Sequence, residues 1–155
     1  MRKLIIATAA AALMITMGTA AHGASTTVAG TGSYEKLVVS NGNNSLTFKI
    51  HAPGGECAIK YAKVAFRDRD GTRYAMEAGC YPGATWAANI VRGDTLIDCG
   101  GFTLTFNADN EVWTAKIPRS CLARLGAAIK VTQSYVDDYT PNTNEVPATP
   151  YVAQG

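Results

Sequence analysis

Phe102 to Ile117 reads "FTLTFNADNEVWTAKI", and the period of that stretch decides the fold. Phe102, Leu104 and Phe106 alternate with Thr103, Thr105 and Asn107, the two-residue repeat of a strand with one buried face. After the turn-forming "NADN", a second alternation sets Trp113, Ala115 and Ile117 on one face against Thr114 and Lys116 on the other. The stretch predicts a β-hairpin. With its turn centred near Asp109, residues facing each other have numbers summing to about 218. In that register Cys99 and Cys121 come nearly opposite one another just beyond the open end, where a crosslink needs little backbone movement.

The same reading works outward. "AIKYAKVAFRD" and "TRYAMEAGC" flank "DRDG", whose Asp70-Gly71 pair predicts a two-residue type I′ turn with a register sum of about 141. Cys57 and Cys80 miss that sum by a few residues but remain the nearest pairing. Two disulfides are therefore expected, Cys57–Cys80 and Cys99–Cys121, each closing roughly 23 residues and adding on the order of 3 kcal/mol. "YEKLVVS" and "SLTFKIH" join through "NGNN", with Leu46, Phe48 and Ile50 inward and Thr47, Lys49 and His51 outward. "WAANIV" and "DTLIDC" form weaker strands around Arg92-Gly93, and "AAIKVTQSYV" closes the domain with Ile129 and Val131 inward. Turn signals every 8 to 12 residues and few helix-period stretches predict an all-β antiparallel β-sandwich of about seven to nine short strands.

The ends carry different signals. Residues 1–23 have the parts of an export signal: Arg2 and Lys3, the apolar "LIIATAAAALMITM", and the small residues of "AHG", with cleavage after Gly23 or Ala21. No later segment approaches the roughly 18 apolar residues of a membrane-spanning helix. Residues 24–33 read as a flexible mature start and 34–139 as the sandwich. In 140–155 three prolines exclude a central strand or helix, which leaves an extended tail or an edge strand.

Charge and cysteine usage agree with export. The chain has 14 Lys and Arg against 12 Asp and Glu, and losing Arg2 and Lys3 with the signal leaves a balanced mature chain. Balanced charge gives no counterion-release drive toward nucleic acid and no polybasic patch for anionic lipid, so neither partner is expected. About 130 mature residues suit one domain with a real core. All four cysteines follow the signal, as in a secreted, extracellular, disulfide-bonded protein.

The search for chemistry mostly eliminates. His51 is the one histidine after the signal, at the end of an alternating strand on its polar face, so a triad has a single possible base and a two-histidine metal site has none. "DRDG" starts with calcium-loop spacing, but Gly79 stands where a bidentate Glu is required. Asp137 and Asp138 with Tyr139 fall far short of six oxygens, and "DCGGF" lacks the lysine and helix of a phosphate loop. Neither a cofactor nor a metal is expected.

A binding module needs less machinery. Tyr81 and Trp86, in "CYPGATW", could stack on a sugar or on a partner's apolar surface, although core packing is the commoner fate of tryptophan and the expected one for Trp113. Arg119-Ser120 beside Cys121 could present a trypsin-like P1 residue on a braced loop. Against that, Pro118 and Gly126 frame "PRSCLARLG" as a short helical turn, which lacks the extended backbone a protease grips. Arg119 and Arg124 are displayed on that turn.

Taken with "YAMEAGCYPGATWAANIVRG", "LIDCGGFTLTF" and the terminal "TPYVAQG", the run "AKIPRSCLARLGAAIKV" resembles a family of small hypothetical secreted β-sandwich proteins of actinobacteria. The resemblance spans Tyr34 to the C-terminus. It implies a sandwich, a crosslink between Cys99 and Cys121 and a short aromatic-containing tail, and it implies no activity. Cys57 and Cys80 are not among its features, and the chain lacks the cysteine spacing of the subtilisin-inhibitor family. The sequence therefore reads as a secreted, non-catalytic binding or surface module for an unknown protein or carbohydrate ligand. A protease inhibitor is second and a hydrolase third.

Overall fold

The computed structural model describes residues 24–53, 59–80, 87–138 and 143–155. In chain order its strands are β1 (Ala24–Ala29), β2 (Lys36–Asn41), β3 (Ser45–His51), β4 (Ile59–Asp68), β5 (Arg73–Gly79), β6 (Ala87–Arg92), β7 (Thr95–Ile97), β8 (Thr103–Asn107), β9 (Val112–Pro118), β10 (Ala128–Asp138), β11 (Thr143–Val146) and β12 (Val152–Ala153). Every pairing is antiparallel. One sheet runs β1-β2-β3-β9-β8 and the other β11-β10-β4-β5-β6-β7, with β12 also on β10.

Alternation is what makes these strands, and their buried faces meet as one core. Leu46, Phe48 and Ile50 of β3, and Trp113, Ala115 and Ile117 of β9, turn inward against Val64, Phe66 and Met76 of β4 and β5. The rings of Phe48 and Phe66, one from each sheet, lie 5.2 Å apart. Ile129 and Val131 are inward as expected. Phe102, Leu104 and Phe106 face the core but stay half-buried, because β8 is the edge of its sheet. The buried Tyr34 hydroxyl shares a 2.7 Å hydrogen bond with Ser134 Oγ, tying the loop before β2 to the opposite sheet.

Two expectations are corrected here. Among the described residues there are twelve strands rather than seven to nine, because both ends pair. Ala24–Ala29, expected as part of a flexible start, is an edge strand against β2; its Thr and Val residues suit a strand that is half covered. At the other end, in the segment read as an extended tail or an edge strand, β11 and β12 lie along the same edge of β10, with Pro147 and Pro150 in the stretch between the two strands.

The β4–β5 hairpin does not use a two-residue type I′ turn. Asp68 N donates to Thr72 O, which leaves a three-residue loop in which Gly71 alone has positive φ, +89°. The Asp68 side chain explains the extra residue: its Oδ1 accepts from Thr72 N at 2.8 Å, closing the loop one step earlier. In the β8–β9 hairpin, by contrast, Thr103 faces Lys116, within one residue of the expected register.

Among the described residues one disulfide is formed, Cys99–Cys121, rather than the two expected, with Cα atoms 5.3 Å apart. Cys57 lies outside the described residues, and Cys80 is buried.

Candidate ligand-binding face

Among the described residues, those singled out from the sequence do not assemble into a site. Tyr81 and Trp86 lie outside the described residues, and so does Tyr139. Arg124 is exposed beyond the 3-10 turn Arg119–Leu122, with no described partner. His51 ends β3, half-buried rather than exposed, and no described carboxylate hydrogen-bonds it. Burial, with Lys36 beside it, lowers its pKa, so it is neutral near pH 7.

Arg119 is not displayed. Asn41, fully buried at the end of β2, donates from Nδ2 to Val152 O at 2.8 Å and to Ala127 O at 3.1 Å. Its Oδ1 needs a donor, and the Arg119 guanidinium turns inward to supply one while its Nε donates to Gly42 O at 3.2 Å. Arg119 N donates to Asn44 O as well. Burial pulls the guanidinium's pKa below its ordinary value. A P1 side chain has to leave its own fold to enter a protease pocket, and this one satisfies a buried amide instead.

The arrangement with chemical potential lies elsewhere, on the outer face of the second sheet. In β4 the odd residues Tyr61, Lys63, Ala65 and Arg67 point outward; in β5 Arg73, Ala75, Glu77 and Gly79 do the same. Register then sets them in rows across the strands. Lys130 pairs with Arg67, and Arg67 with Arg73, which gives three cations side by side on β10, β4 and β5. The next row is Gln133, Ala65, Ala75 and Val91. The one after it is Tyr135, Lys63, Glu77 and Asn89. A register shift between Val131 and Gln133 puts both Thr132 and Gln133 on the surface, widening the face at its middle.

The small side chains of Ala65 and Ala75 form the floor of an open depression of about 590 Å³. Lys63, Arg67, Arg73, Asp94, Thr132 and Gln133 stand around it. Lys63 is neutralised by Glu77 at 2.8 Å, and that hydrogen bond holds its ammonium above the usual lysine range. Arg67, Arg73 and Lys130 form no ion pair with any described residue. Like charges directly opposite on adjacent strands repel, so the row carries a cost in the free protein.

Rings flank the row on both sides. Tyr151 lies with Arg69 5.2 Å and Lys130 5.5 Å from its ring centre, and its hydroxyl donates to Asp68 O at 3.4 Å. At the other end of the face Tyr61 and Tyr135 are 5.9 Å apart. Burial, with Glu77 and Tyr135 alongside, raises the Tyr61 phenol above its ordinary pKa, so it is a neutral hydrogen-bonding group.

Arg67 and Arg73 are not brought together by the sequence reading: the two-residue turn expected at Asp70-Gly71 would set Arg67 opposite Tyr74, and the three-residue loop is what sets it opposite Arg73. Lys130 and Tyr151 are not legible. They arrive from strands distant in the chain, whose register with β4 depends on a bulge.

Fold and face together define an all-β antiparallel two-sheet protein with one cation-lined outer surface. Comparisons with protein-family models, with curated proteins and with solved structures find no match to this chain.

Proposed function

We propose that this is a secreted, non-catalytic binding module that docks an extended extracellular ligand across the outer face of β10, β4 and β5. The observation that carries the reading is the row Lys130–Arg67–Arg73, which makes no ion pair among the described residues, beside the Ala65–Ala75 floor. A row of like charges is a net cost to the free fold, and an oppositely charged ligand relieves it. The depression is open, which suits a chain laid across strands better than a small molecule enclosed in a pocket. His51 belongs to the other sheet, so among the described residues the face has no imidazole.

Export rests on the signal-like residues 1–23 and on the oxidised cysteines. A second brace, Cys57–Cys80, completes the reading; what supports it is that Cys80, buried just beyond β5, is itself disulfide-bonded. Non-reducing peptide mapping is expected to give 57–80 and 99–121 linkages, and a free Cys57 or a 57–121 peptide would sink the second brace.

Obstructing the floor tests the function. Ala75→Trp fills the depression without removing a charge, and it is expected to abolish retention of the protein on its extracellular ligands while its unfolding midpoint stays close to wild type. Unchanged retention of that variant across an array of polysaccharides and secreted proteins would remove the face from consideration. Stoichiometric inhibition of a trypsin-like protease, lost in Arg119→Ala, would instead favour an inhibitor.

A further inference from the structure

Resting on that reading of the face, we propose that the ligand is a carboxylate-bearing polysaccharide, a polyuronate, lying across the strands with its carboxylates on Lys130, Arg67 and Arg73. Neighbouring strands are about 4.8 Å apart, so the three cations repeat at roughly the length of one sugar unit in an extended chain. Two of the three are arginines, whose planar forks match carboxylates through paired N–H donors.

The surroundings of the row fit a sugar backbone. Ala65 and Ala75 leave space for a ring to approach the sheet, and Thr132, Gln133 and Asn89 offer donors and acceptors for hydroxyl groups. Tyr61 and Tyr135 present rings and hydroxyls at the far end of the same face. A duplex nucleic acid fits less well, since its phosphates follow one another at about 3.4 Å along each strand, out of step with cations about 4.8 Å apart. A lipid surface would call for projecting apolar side chains. Among the described residues the exposed large hydrophobics are Leu96, beyond β6, and Tyr151, and Tyr151 is engaged with Arg69 and Lys130.

The oxidised secreted protein is titrated with polygalacturonate, with neutral dextran, with dextran sulfate, with single-stranded DNA and with anionic phosphatidylserine vesicles. Polygalacturonate is expected to bind more tightly than every other probe and to weaken as salt rises, because the contacts are exposed charges. Arg67→Gln with Arg73→Gln is expected to weaken it at least tenfold. The unfolding midpoint of that double variant should be unchanged or higher, since a repulsive pair is gone. Lys116→Gln, on the opposite sheet, should bind as wild type does.

Tighter binding of dextran sulfate, DNA or vesicles overturns the proposal, as does a double variant that binds polygalacturonate normally. If polygalacturonate fails while another ligand is retained and then lost in Ala75→Trp, the polyuronate assignment falls and the docking face stands. If no retained ligand responds to Ala75→Trp, both fall.

Discussion

Asp68 concentrates several demands on one side chain. It is buried at the end of β4, where Oδ1 accepts from Thr72 N and Oδ2 from Gly126 N at 2.9 Å. Burial alone would push its carboxyl up; the backbone donors of Gly126 and Thr72 outweigh that and hold its pKa below the ordinary 3.8. The stability it contributes is therefore in full above that value and drains away as pH falls through the folded-state pKa. Asp68→Asn turns an amide N–H₂ toward a backbone donor and is expected to cost about 2 kcal/mol at pH 7. Urea midpoints measured from pH 7 down to pH 2 should show the variant losing less stability than wild type across the acid limb. A parallel decline in the two proteins would mean that other carboxylates govern acid unfolding.

Among the elements, the Cys99–Cys121 brace closes the β8–β9 hairpin at its open end and anchors the 3-10 turn that carries Arg119 and Leu122. Closing a loop of sequence separation 22 removes freedom from the unfolded chain worth about 3 kcal/mol. Replacing both cysteines by serine should lower the denaturation midpoint accordingly, and near-equal midpoints would mean that the hairpin is held by packing alone. This brace was legible in the sequence because hairpin register is local arithmetic: once Trp113 and Phe106 lie on one face, the flanking cysteines follow. Arg119 was misread for the complementary reason. Its direction is set by the unmet acceptor of Asn41, 78 residues earlier in the chain, and alternation in "NGNN" gives no sign that the amide is buried. The cation row was not legible either: Arg67 meets Arg73 only because the loop beyond Asp68 has three residues rather than two, and Lys130 is added by a long-range pairing.

At the scale of the whole molecule, the C-terminal segment holds the two sheets together. Thr149 exchanges hydrogen bonds with Val131, its N donating to Val131 O at 3.0 Å and its Oγ1 accepting from Val131 N at 2.9 Å. Val152 accepts from Asn41 across the sandwich, and Gly155 N donates to Asn41 O. Removing residues 149–155 would leave the Asn41 amide and the edge of β10 without these partners. The expected loss is more than about 2 kcal/mol, since buried polar groups left unsatisfied each cost about that much. A fluorescence-monitored urea titration checks it, and an unchanged midpoint would show that the segment is ornamental.

The position of Asn41 also bears on when the protein can fold. Its two amide protons are claimed by Ala127 and Val152, 86 and 111 residues downstream. A nascent chain therefore carries β2 a long way before its buried amide finds these acceptors, so this corner of the sandwich is completed only after β12 has been made. For a chain exported as proposed, that lateness favours the open state in which a polypeptide can be threaded through a membrane channel.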